Sequence, residues 1–257
     1  MSDMPPPPPP NMGPPPGYVA YGGGGALQGT FKRIGGLTKW LVGLLIVSFV
    51  MQLISLLVQF TLRNSATDRV NESITSAAFD DKLGLYLVVA ALAGIASIAQ
   101  IVILIIWTFR LAKNGQVLGR QPQSFRPGAT IAVNILGGCT LGILNFFMWR
   151  ELWKAADSET AAGDPSWKQR AVTPLLTIYL VLTLATVAAA LSLGFSSAVG
   201  PVRTTGSSSD LAKNISDRLP FIALSGVLTL AAAAVFITFG RQLAARHMQA
   251  TRESAPS

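Results

Sequence analysis

The sequence predicts an all-α fold: a polytopic membrane helix bundle. Three observations carry the prediction. Five apolar stretches, 40–62, 84–109, 128–149, 171–195 and 220–240, contain no charged side chain. Each has the ~20 residues that a helix rising about 1.5 Å per residue needs to cross ~30 Å of hydrocarbon. Of the 257 residues, 50% are apolar and 12% are charged, against ~25% charged in a soluble domain. The net charge of +8 does not point to nucleic acid. Lys and Arg are scattered through short segments beside the apolar stretches, where the positive-inside rule places them, and form no basic stripe with interleaved aromatics.

Residues 1–30 read as a disordered Pro/Gly-rich tail. The runs Pro5–Pro10 and Pro14–Pro16 favour polyproline II, the glycines at 22–25 favour coil, and neither can bury a core. The tail reads as a flexible cytoplasmic segment or, more sharply, as a docking peptide for a proline-recognising protein partner; a PxxP match inside a proline run has little specificity. Lys32, Arg33 and Lys39 precede the first stretch, which therefore reads as an uncleaved signal anchor with a cytoplasmic N-terminus. The membrane domain is expected over 31–248, with a disordered C-terminal tail over 249–257.

In the first stretch Ser48, Gln52, Ser55 and Gln59 follow steps of four, three and four, so they share one helix face. That face is expected to turn inward, as interhelical hydrogen bonding or as a polar path through the bundle. The second stretch carries Ala90, Gly94 and Ser97, the fourth Ala185, Ala189 and Ser192, and the fifth Ser225, Thr229 and Ala233. These small-residue faces predict close backbone approach.

The third stretch differs. Asn134, Gly137, Gly138, Gly142 and Asn145 interrupt it, and glycine costs a helix interior up to ~1 kcal/mol relative to alanine. Charge distribution then separates two topologies. Five crossings divide Lys and Arg evenly, ten on each side. Four crossings, with a re-entrant third segment that dips and returns, put fourteen on the side of the termini and six opposite. The positive-inside rule selects the second, with five spans as the alternative. Trp40, Trp107, Trp149, Trp153 and Trp167 then all fall on the cytoplasmic side, at the headgroup level that tryptophan prefers. The segment after the dip, 146–157, reads as a short interfacial helix. The loop 110–126 reads as cytoplasmic and lipid-facing. The loops 63–83 and 196–219 read as external, and their sequon-like triplets at Asn71 and Asn214 carry little weight.

Trp107, Arg110 and Asn114 form a W-x-x-R-x-x-x-N pattern, and Glu151, Leu152 and Trp153 an E-L-W element about 40 residues later. Between them lies a membrane segment broken in its middle. This combination resembles the largely actinobacterial domain of unknown function 4328 family, over roughly residues 40–245. Relatives tend to carry prolines in the middle segment, whereas this chain has none between Pro127 and Pro165 and uses glycines. The resemblance implies a multi-pass protein of a bacterial plasma membrane, and implies no activity.

Arg110 and Asn114 share a helix face at the membrane boundary, and Glu151 should return to that depth. An Arg110–Glu151 ion pair is the expected tie, with a headgroup or ligand-carboxylate contact, or a snorkelling Arg110, as alternatives. Cys139 and His247 are the only residues of their types, so no intramolecular disulfide and no zinc site of ordinary spacing is expected, and no cofactor is implied. The functional reading is a non-enzymatic interaction or scaffold protein in the lipid bilayer, able to form a homo-oligomer. A transporter or channel component is the alternative, prompted by the polar face and the broken segment. An intramembrane enzyme is the weakest reading: Ser48, Ser97 and Cys139 could be nucleophiles, but no stretch contains a base to activate them.

Overall fold

A computed structural model describes residues 30–137, 139–199 and 208–253. The proline-rich tail, Gly138, the middle of the expected 196–219 loop and residues 254–257 lie outside the described residues. Six α-helices follow in order: α1 (Gly35–Val70), α2 (Ser76–Val117), α3 (Pro127–Leu136), α4 (Ile143–Ala155), α5 (Pro174–Val199) and α6 (Ser208–Thr251). A 3-10 turn, Pro165–Gln169, lies between α4 and α5. Among the described residues, four helices are long and apolar enough to cross a membrane: α1, α2, α5 and α6.

The third stretch is two helices, of 10 and 13 residues. At 1.5 Å per residue they reach about 15 and 20 Å, too short for either to cross. They form a hairpin. At its open end the Glu151 carboxylate on α4 accepts from the backbone N–H of Ser124 and Phe125, just before α3 begins. Near its tip a Cβ on Gly137 would collide with Asn145 Oδ1, so the turn closes this tightly because position 137 has no side chain. Gly142 takes φ +78°, a left-handed conformation that favours glycine. Asn134 donates to Thr108 Oγ1 on α2, and Thr108 is ten residues before Leu118, so the hairpin rises about 15 Å from the base of the bundle.

The helix ends meet on one side, the base. Lys32 N–H donates to Asn114 Oδ1 and Asn114 Nδ2 donates to Lys32 O, joining the start of α1 to the end of α2. Glu253 accepts from Ile34 and Gly35 N–H, joining the end of α6 to the first turn of α1, whose N–H groups have no intrahelical partner. Trp153 Nε1 donates to Ala171 O just before α5. The chain therefore runs up, down, through the hairpin, up and down. Residues 32 and 253 stand on the same side. Helix α1 packs between α2 and α6, α5 packs on α6, and the hairpin closes the ring against α2 and α5.

The core sits in the base-side half. Trp107, Trp149, Trp153, Phe236 and Phe239 are buried there, with ring centroids 5.4–6.0 Å apart across α2, α4 and α6. Most of the tryptophans are therefore packed in protein rather than facing outward. Trp40 is 70% exposed, but Trp107 on α2 and Trp167 in the 3-10 turn are buried, and so are Trp149 and Trp153, because α4 faces the bundle rather than lying along its surface. The interfacial reading of 146–157 is corrected for the same reason.

Four further expectations are corrected. The 63–83 loop is mostly helix: Leu62, Ala66 and Phe79 bury each other where α1 and α2 extend beyond the apolar stretches, leaving a turn at 71–75 whose Thr75 caps α2. Helices α5 and α6 likewise run into the expected 196–219 loop, to Val199 and from Ser208. Of the expected 249–257 tail, residues 249–253 are not free, because α6 continues to Thr251 and Glu253 is held at the start of α1. The small-residue face of α2 is not a packing face, since Gly94 has nothing within 4 Å of a would-be Cβ. Close approach occurs instead at Gly226 on α6, where a Cβ would lie 2.5 Å from Leu56 Cδ2 on α1.

Candidate functional site

A cavity of about 360 Å³ lies within the ring. Five helices line it, with Ser48 and Gln52 from α1 and Ser97 and Gln100 from α2. Asn145 comes from the hairpin, Tyr179, Thr183 and Thr186 from α5, and Thr229 from α6. These positions fall near the middle of the four apolar crossings, so the polar groups stand at membrane depth. Trp149 and Phe236 of the aromatic core form its base-side wall.

The lining has a chemical bias. Ser97, Thr183, Thr186 and Thr229 each donate their hydroxyl proton to a carbonyl one turn back in their own helix, to Ala93, Tyr179, Leu182 and Ser225. What remains on each oxygen is lone-pair capacity. Ser48 Oγ and Asn145 Oδ1 are buried without a protein partner. The amides of Gln52 and Gln100 can donate or accept. A buried polar group left unpaired costs about 1–3 kcal/mol, so the cavity favours a polar guest, and the four spent hydroxyl protons tilt it toward one that donates hydrogen bonds. No lining residue carries a carboxylate, imidazole, ammonium or thiol. Among the described residues no group of three or more His, Cys, Asp or Glu side chains could hold a metal ion.

The expected inward stripe of α1 is divided by this cavity. Ser48 and Gln52 line it. Ser55 is buried and Gln59 half-buried, outside the lining, and Gln59 Oε1 has no partner.

The expected cluster of Trp107, Arg110, Asn114, Glu151 and Trp153 is not one site. Trp107 donates to Thr38 Oγ1 on α1, and Trp153 stacks on Phe239. Asn114 is fully buried between Lys32 and His247 Nε2, 2.9 Å away. The Arg110–Glu151 pair does not form. Arg110 donates to Arg33 O, while both Glu151 oxygens are taken by the N–H groups before α3. Those N–H groups lie two and three residues before α3 and have no helical acceptor of their own. Fixed in the backbone, they outcompete a cation at the end of a long side chain.

A stronger charged centre was not apparent from the sequence. Arg120 is 1% exposed and its guanidinium donates to the carbonyls of Asp157, Thr160 and Ala161 at 2.7–3.0 Å, with a longer contact to Ala155 O at 3.4 Å. Burial holds its pKa below the ordinary arginine value, opposed by the charges of Asp157 and Asp164. Asp157 in turn pairs with Arg170 at 2.9 Å and Arg246 at 2.8 Å. The 110–126 loop is therefore part of the packed base and not a lipid-facing strap. Buried arginine leaves no mark in local sequence, since its partners are carbonyls 35–41 residues away. No protein-family model, no curated protein and no solved structure matches this chain.

Proposed function

We propose that this is a non-enzymatic interaction protein of a bacterial plasma membrane, and that what it binds is a small uncharged molecule carrying hydrogen-bond donors, held in the intramembrane cavity. The observation that supports this reading is the polar lining contributed by five helices, in which four hydroxyl protons are already spent on carbonyls and Ser48 Oγ and Asn145 Oδ1 are unpartnered. A guest of this chemistry recovers hydrogen bonds that the protein alone does not make. A cytoplasmic base fits the fourteen Lys and Arg residues on that side against six in the opposite segments. The bacterial setting rests on the resemblance of the 107–114 and 151–153 motifs.

Thiol accessibility tests it. In a Cys139→Ser background, cysteines replacing Ser48 or Thr183 should react with the polar, uncharged reagent 2-hydroxyethyl methanethiosulfonate. A cysteine at outward-facing Leu92 should not. Cavity positions as inert as Leu92 would sink the proposal. Transport is the second reading, favoured by one observation: Asn145 enters the lining from a broken hairpin rather than from a crossing helix. Proteoliposomes shrunk by a urea or glycerol gradient distinguish the two. Re-swelling that is lost with Asn145→Ala supports transport, and no re-swelling supports binding alone.

A further inference from the structure

A second pocket, of about 350 Å³, opens at the base between α4 and the 3-10 turn. Arg150 and Lys154 of α4 and Lys168 of the turn line it, beside Phe125, Phe147 and the buried Trp167. Three cations converge on it. The one carboxylate on the rim is Glu151, and both its oxygens accept backbone N–H groups. Arg170 pairs with Asp157 and Glu159, and Arg246 with Asp157; none of these ion pairs involves Arg150, Lys154 or Lys168. Lys168 lies over the Trp167 ring, and Lys154 is drawn toward the turn by a hydrogen bond to Lys168 O. The Lys154 ammonium is held below the usual lysine pKa, by burial first and then by Arg150.

The same face of α4 changes character along its length. Ile143, Phe147, Arg150 and Lys154 follow steps of four, three and four, so they form one stripe. Its upper half is apolar and open, with Ile143 43% and Phe147 46% exposed. Its lower half is cationic. The change falls near the base, where the hairpin returns to the level at which hydrocarbon gives way to headgroups.

We propose that this pocket holds the phosphate of an anionic phospholipid headgroup, with the acyl chains lying along Phe147 and Ile143. The three cations supply the positive partners that a phosphodiester lacks among its neighbours in the bilayer surface, and each basic group near such a surface strengthens binding about fivefold. A free phosphate would use the cations but gain nothing from the apolar half of the stripe, and for that reason we commit to the lipid.

The test uses the full chain in nanodiscs of equal phosphatidylglycerol and phosphatidylcholine, with lipid adducts read by native mass spectrometry. Wild type should retain phosphatidylglycerol in preference. Arg150→Gln, Lys154→Gln and Lys168→Gln together should reduce that preference at least about twentyfold. A control triple at exposed Lys113, Arg126 and Arg241 removes the same charge from the same side and should keep it. Should the first triple not fold, exposed Arg150→Gln alone should lower the preference about fivefold. Equal losses in site and control variants would overturn the proposal, as would no preference in wild type. Inorganic phosphate is the second arm. If phosphate at millimolar concentration binds in phosphatidylcholine-only discs, and does so through Arg150, the site takes the free anion and the lipid assignment is wrong.

Discussion

Replacing Arg120 with alanine should be among the most damaging single changes at the base. Its guanidinium makes three short hydrogen bonds to carbonyls of 157–161, and the 3.4 Å contact to Ala155 O is too long to count as a fourth. Bonds from a charged donor contribute about 1.5–3 kcal/mol each, or about 5–9 kcal/mol gross. Removing the cation from water offsets several kcal/mol of that. Truncation also leaves those buried carbonyls short of a donor, and deleting one member of such a buried charged set costs about 3–5 kcal/mol. At about 2–4 °C per kcal/mol for a chain of this size, the midpoint should fall by roughly 6–20 °C.

The assay is thermal unfolding of purified protein in detergent, read by tryptophan fluorescence, with Arg126→Ala as control. Arg126 is exposed in the same loop and should cost under about 0.5 kcal/mol. Arg120→Lys should fall between the two, because an ammonium keeps the charge but cannot span the same set of carbonyls. If Arg120→Ala unfolds within about 2 °C of Arg126→Ala, less than a single kcal/mol separates them and the carbonyl cage is not what holds the base together.

Exchanging Arg110 and Glu151 should rescue nothing relative to the single reversals, since the two have separate partners; a double-mutant coupling above about 0.5 kcal/mol would show that they meet. Gly142→Ala should cost about 1–2 kcal/mol, because φ is +78° and the new Cβ would sit 3.1 Å from Thr183 Cγ2; an unchanged melting midpoint would mean that the hairpin turn is not built this way. Asp164 is held below the usual carboxylate range, first by the Ser166 backbone N–H and then by its side chain. A depressed carboxyl stabilises above its unfolded pKa of about 3.9 and loses that contribution as pH falls through its folded value. The stability gap between wild type and Asp164→Asn should therefore be full at about pH 6 and close in acid, and a gap independent of pH would contradict it.

The architecture was legible because lipid leaves few choices. Runs of about 20 apolar residues must be helices, and the distribution of Lys and Arg picked out the broken third segment before any contact was known. The glycines at 137 and 142 marked the break, for reasons that the structure makes specific: contact with Asn145 at one and positive φ at the other. The inward direction of Ser48 and Gln52 was legible from spacing. The remaining walls of the cavity were not. Thr183, Thr186 and Thr229 look like ordinary membrane threonines, and only the ring closure of α5, α6 and the hairpin brings them opposite α1. The Arg110–Glu151 expectation failed because it matched charges by depth alone. It took no account of backbone N–H groups, which hold the carboxylate more firmly than a surface cation could.

The heaviest polar bonding and the cavity lie at different levels of the bundle. The strongest polar ties lie at the base: Asn114 with Lys32 and His247, Glu253 on the start of α1, Arg120 in its carbonyl cage and Asp157 between two arginines. The packed rings of Trp149, Phe236 and Phe239 lie above them and close the floor of the cavity. Beyond that floor the inward groups are hydroxyls and amides with capacity to spare. A bundle selected only for rigidity would fill the space with leucine or phenylalanine, as it does nearer the base, since packing is what holds membrane helices together. Here five helices leave 360 Å³ and line it with hydroxyls and amides. Each unpaired acceptor weakens the empty fold and strengthens a filled one. That asymmetry is why the cavity, rather than the more heavily bonded base, is the better candidate for what the protein does.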